Sequence, residues 1–138
     1  FRSLSGALAA GTNAIGDVGI QYRANATGGA TIKHIVAAAT TNATNTKASA
    51  GRVVGWNLVN TTASFQYVKL HNTAGAPTAG SGVVMTIAIP PNGVNSMPVG
   101  GGGIGFATGI AYTIVTGSAD VDATATTLGS VVGDLFYA

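Results

Sequence analysis

The segment from Val83 to Gly93 constrains the fold more than any other stretch. Val83, Met85, Ile87 and Ile89 alternate with Val84, Thr86 and Ala88, and the run ends in Pro90-Pro91-Asn92-Gly93. A repeat of two puts one set of side chains on one face of an extended strand. Proline cannot donate to a sheet ladder, and Asn-Gly suits the positive φ values of a tight turn. A half-buried strand, halted by a turn, follows.

Similar patterns recur along the chain. Ile32 to Ala39 predicts a strand, and Thr40 to Gly51 a loop holding a short strand around Lys47. From Arg52 to Asn60, Val54, Trp56 and Leu58 alternate with Val53, Gly55, Asn57 and Val59, so both faces are largely apolar, as in a central sandwich strand. Phe65, Tyr67, Lys69 and His71 then alternate with Gln66, Val68 and Leu70. The short polar turn Asn60-Thr61-Thr62 between these runs predicts a hairpin. A loop with Pro77 precedes the Val83 strand, and Val94 to Val99, carrying Met97, follows it. Gly109 to Gly117 and Val131 to Tyr137 supply the last strands, on either side of a loop around Asp120 to Thr127.

No segment has a 3.6-residue period, and β-branched residues with 21 glycines disfavour helix. The expected fold class is all-β: an antiparallel β-sandwich, jelly-roll-like, of about seven or eight strands. It occupies residues 31–138, and residues 1–30 form an extended N-terminal arm. Within that arm Val18, Ile20 and Tyr22 alternate, with Ile15 before them across Gly16. They read either as an edge strand of the domain's own sheet or as a strand added to a neighbour. Ile15, Val18, Ile20 and Tyr22 are therefore the candidate subunit-interface residues.

Charge is nearly absent. Six Lys and Arg and four acids make up 7% of 138 residues, hydrophobic residues 46%, and there is no cysteine. Disulfide frameworks, thiolate metal sites and cysteine nucleophiles are excluded. The pI of about 9.2 rests on a net charge of +2 from scattered cations, unlike the basic stripe that phosphate neutralisation needs. Nucleic acid is not an expected partner. Nor is a membrane, because no apolar run reaches the ~18 residues of a span; the apolar stretch near Phe1 is also too short for a signal peptide. A mean hydropathy of +0.41 with so few ions fits a rigid extracellular β domain or, the favoured reading, a subunit of a larger assembly whose Thr, Ser, Asn and Gly sit in large contacts.

Catalytic constellations are sparse, and the chain is not expected to be an enzyme. His34 and His71 lie on strands and read as strand-face or interface residues; a hydrolase would need one of them beside a Ser or Asp in a cleft. Gly100, Gly102 and Gly105 spell G-x-G-x-x-G, but the following Phe106-Ala107-Thr108 continues as strand, and a phosphate loop needs a helix there. Asp120 and Asp122 lie two apart in a Thr-rich loop and read as turn formers rather than calcium ligands. No cofactor and no metal are expected. Asn25, Asn42 and Asn60 head glycosylation sequons. Trp56, Phe65, Tyr67, Phe106 and Tyr112 could supply an aromatic sugar platform, although each lies in an alternating apolar pattern that suits a core or subunit interface better.

Three stretches resemble small structural proteins of tailed phages. They are Gly11-Thr12-Asn13-Ala14-Ile15-Gly16-Asp17-Val18; Lys47 to Asn60 continued by Tyr67-Val68-Lys69-Leu70; and Gly102 to Ala111. The resemblance, cyanophage-like in character, implies a jelly-roll head decoration (cement) protein on the virion surface. Its implied partners are the major capsid protein, gripped on its outer face, and sister copies in a homo-oligomer, with a trimer favoured. Ile15, Val18, Ile20 and Tyr22 then become candidate capsid contacts as well. A tail or spike component, or a glycan- or receptor-binding sandwich module, is the alternative.

Overall fold

The computed structural model describes residues 29–138; Ile15, Val18, Ile20, Tyr22 and the first sequon asparagine, Asn25, lie outside them. The described chain forms nine strands: β1 (Thr31–Val36), β2 (Thr44–Lys47), β3 (Gly51–Asn60), β4 (Gln66–Asn72), β5 (Val83–Ile89), β6 (Val94–Pro98), β7 (Ile104–Phe106), β8 (Ile110–Val115) and β9 (Val131–Tyr137). They make two antiparallel sheets. One has the order β1-β9-β3-β6, with β7 also paired to β3; the other is β2-β8-β4-β5.

These pairings are nested. β4 pairs with β5, β3 with β6, β2 with β8 and β1 with β9. A long hairpin with its tip between β4 and β5, rolled so that alternate strands fall in opposite sheets, gives this order. It is the jelly roll, and β7 is an addition to the connection between β6 and β8.

The expected hairpin of β3 with β4 does not form, because the two strands belong to different sheets. The connecting turn is instead an arch between layers. The Asn60 side chain holds it, donating from Nδ2 to the carbonyls of Ser64 (2.7 Å), Ile89 (3.0 Å) and Pro90 (3.0 Å). Its Oδ1 accepts from the Thr62 amide at 2.8 Å. A polar turn after a β-strand marks a change of direction; it does not choose between a partner alongside and one ~10 Å across the core.

The core lies between the sheets. Ile35, Val53, Trp56, Leu58, Phe106, Val131 and Leu135 come from one side, and Val68, Leu70, Ile87, Ile89, Ile110, Tyr112 and Ile114 from the other. The expected β5 face is as read: Ile87 and Ile89 are buried, with Met85 packed against the core, while Val84, Thr86 and Ala88 are exposed. In β3 the alternation slips. A bulge between Val53 and Gly55 inserts Val54 opposite β9, so Val53 and Trp56 both point inward. An extra residue reverses the parity of everything beyond it.

Candidate interaction surface

The outer faces of the two sheets have opposite fates. In the β2-β8-β4-β5 sheet, the outward residues of β4 and β8 include Lys69, His71, Ala111, Thr113 and Val115, all of them buried. Two loops cover them. The 116–127 loop folds back beside β8, bridging Ala125 to Val115, and the 73–82 loop approaches it where Gly80 meets Val121. Asp122 shapes the first loop by accepting from the Gly117 amide (2.9 Å) and from the Thr124 amide and hydroxyl. Burial pulls its pKa up, but those bonds and the Lys69 charge outweigh it, leaving the carboxyl below its ordinary value.

Lys69 is the group that this cover encloses. Its side chain is 1% exposed, and Nζ donates to the carbonyls of Ser118 (2.5 Å) and Ala119 (3.2 Å). Asp120 Oδ1 lies at 3.8 Å, and the Tyr67 ring centroid at 5.6 Å. A buried ammonium is tolerated only when such acceptors replace its water. Next to it His71 Nε2 meets the Thr113 hydroxyl at 3.0 Å. Burial holds this imidazole below its ordinary pKa of 6.5, against the upward pull of backbone bonds from Ser81 and Gly82. His71 also borders a small polar cavity of about 240 Å³ with Asn72, Thr73, Thr78 and Ser81.

The outer face of the β1-β9-β3-β6 sheet carries no such lid among the described residues. Its register aligns the outward side chains in three rows across four strands. One row is Ile32, Phe136, Gly55 and Pro98; the next is His34, Asp134, Asn57 and Ser96; the third is Val36, Val132, Val59 and Val94. Two apolar rows thus flank a polar one. Ile32 is 63% exposed, Val36 57% and Val94 55%. The Phe136 ring lies 3.5 Å from where a Gly55 Cβ would sit, so the aromatic spreads over the glycine beside it. In the polar row His34 Nδ1 and Asp134 Oδ1 are 2.8 Å apart. With strands ~4.8 Å apart and rows ~6.8 Å apart, the face spans roughly 400 Å². A face of that size matches the largest surface patch of an ordinary monomer, which is often a functional one.

The residues singled out from sequence fall into place around these faces. Among the described residues, no cleft forms at His34, which lies on the sheet surface beside Asp134, whereas His71 is covered and bonded to a threonine. The glycine run closes as a turn, the Gly103 amide reaching the Gly100 carbonyl at 3.1 Å, and feeds β7 rather than a helix. Asp120 and Asp122 do not converge: one faces Lys69 and the other builds its own loop. Of the sequon asparagines, Asn60 is buried, and Asn42, at φ +52°, turns its amide back onto the carbonyls of Ala38 and Thr40. Trp56, Phe106 and Tyr112 are core residues, but Phe65 and Tyr67 stack at the surface with centroids 6.1 Å apart and planes at 20°. An open groove of about 880 Å³ runs past Lys47, Gly51, Arg52, Gly102 and Phe106.

The three rows escaped the sequence reading. The signal lies in the outward valines of four strands, Val36, Val59, Val94 and Val132, but only the register joins them. Compared with protein-family models, curated proteins and solved structures, the chain has no significant match.

Proposed function

We propose that the protein is a structural subunit of a virion, a decoration protein held on the outer face of a phage head by the major capsid protein and by sister copies. The observation that carries this reading is the pair of apolar rows that the described residues leave open on the β1-β9-β3-β6 sheet, in a chain with almost no ions to keep its copies apart. Neutral polar and apolar surface desolvates cheaply, so contact free energy accumulates over area rather than at one strong site. Repeated by symmetry around a shell, contacts of modest size hold tightly through effective concentration. Their low charge leaves them nearly insensitive to salt. The virion setting itself comes from the resemblance of the three sequence stretches.

The test is to add the protein to assembled heads that lack it and follow rupture on heating. Stoichiometric binding with a higher rupture temperature is the expected result; unchanged rupture with no binding overturns the proposal.

A second reading, a glycan-binding module, is favoured by one observation. Phe65 and Tyr67 form a stacked aromatic pair at the surface, Phe65 being 46% exposed. Aromatic faces bind the apolar faces of sugars. Phe65→Ala, tested against an immobilised glycan panel, separates the readings: loss of glycan capture with head binding intact supports the second.

A further inference from the structure

We infer that the three-row face is covered by a second copy of this chain, packed face to face about a two-fold axis that runs along the strands between β9 and β3. This rests on the proposed role as an assembly subunit and names the partner for one of its surfaces. The shell contact then falls to other parts of the molecule.

Two sheets packed face to face can be related by a two-fold axis along the strands or across them, and the polar row chooses between these. An axis across the strands sets each residue of that row against its own copy, so Asp134 confronts Asp134 and His34 confronts His34. An axis along the strands puts β1 over the other copy's β6 and β9 over its β3. Asp134 then faces an Asn57 amide, a donor to a carboxylate, and His34 faces a Ser96 hydroxyl. Like charges opposed in a dry interface are costly, while a carboxylate against an amide is satisfied. The apolar rows agree with this choice. Val36 lies over Val94 and Val132 over Val59, giving valine against valine, and Phe136 lies over the Gly55 strand of its mate. Aligned packing of twisted sheets at ~30° is the ordinary geometry of sandwiches.

Area sets the strength. A face of roughly 400 Å² per copy buries about 800 Å² in all, below the ~1,200 Å² of stable standard interfaces. The pair is therefore weak and concentration-dependent in solution, and firm where copies are already held side by side.

The experiment uses the 138-residue chain, whose lack of cysteine makes introduced thiols unique. Sedimentation should show monomer passing to dimer with rising concentration, and Val36→Lys should weaken association at least tenfold while leaving the melting curve in place. Under mild oxidation, a mixture of Val36→Cys and Val94→Cys chains should give a disulfide-linked dimer that neither variant gives alone, since only the axis along the strands brings positions 36 and 94 of two copies together. A chain that stays monomeric at every concentration overturns the inference, whether its own N-terminal residues or a different protein covers the face. A dimer that forms equally well with Val36→Lys also overturns it, as does linkage by Val36→Cys alone. Head binding is measured separately on assembled heads, so failure of the pairing and failure of the decoration role are told apart.

Discussion

Replacing Gly133 with alanine should strongly destabilise the domain. Gly133 lies in the middle of β9, paired with Ile35 on one side and Leu58 on the other, at φ +151°. A Cβ there would lie 2.0 Å from the Asn57 carbonyl oxygen and 2.9 Å from the Leu58 Cα. Both neighbours are backbone, so no side chain can swing away. Holding a non-glycine residue at that φ costs ~1–3 kcal/mol. Relieving the overlap means parting β9 from β3, which gives up one or two ladder bonds at ~1 kcal/mol each and loosens the packing of Leu58 and Leu135 beneath. The sum is about 3–6 kcal/mol, against a total stability of ~5–15 kcal/mol for an ordinary domain. At ~4 °C per kcal/mol for a domain of this size, the melting temperature falls by about 12–24 °C. Trp56, the only tryptophan and a core residue, reports unfolding by fluorescence in urea. Gly105→Ala is the matched control, because a Cβ there meets nothing within 4 Å; it should shift stability by no more than ~0.5 kcal/mol. A Gly133→Ala protein that unfolds within ~1 kcal/mol of the parent would refute the reasoning, since the strain and the overlap could not then be real.

Two further outcomes are expected. Asn60→Ala leaves three carbonyls without their donor inside the arch between the sheets, and should cost about 2–4 kcal/mol in urea unfolding; Asn60→Asp should not rescue it, because a carboxylate cannot donate. Stability should also depend on pH in two stages. The folded pKa of His71 lies below its ordinary 6.5, so the unfolded chain binds the extra proton first, and stability is lost as pH falls below about 6.5 and is complete above it. The Asp122 carboxyl is also depressed from 3.8, so its contribution is present above that pH and lost as pH falls through the lower folded value. His71→Gln should flatten the first stage and leave the second; a variant whose profile near pH 6 matches the parent's would assign that stage to another group.

The sequence alone determined where strands lie and where they stop. Alternation over Val83 to Ile89, the prolines after it and the Asn-Gly turn are local chemistry, since side-chain direction and proline's missing donor act within a few residues. The near absence of charge, 7% of residues, was likewise legible from composition. Which strand lies beside which was decided by tertiary structure. The turn after Asn60 suits a hairpin or an arch equally, and the choice depended on Asn60 finding the carbonyls of Ile89 and Pro90, some thirty residues away. The bulge at Val54 reversed the inward set of β3, a shift visible only against β9. The same holds for the surfaces. Lys69 and Val36 occupy alternating positions that look much alike in sequence, yet a loop brought across one sheet buries the first, while the four valines become a row only when β1, β9, β3 and β6 are set in register. Contacts between residues far apart in the chain carry those decisions, because burial belongs to a neighbourhood in space rather than to a residue.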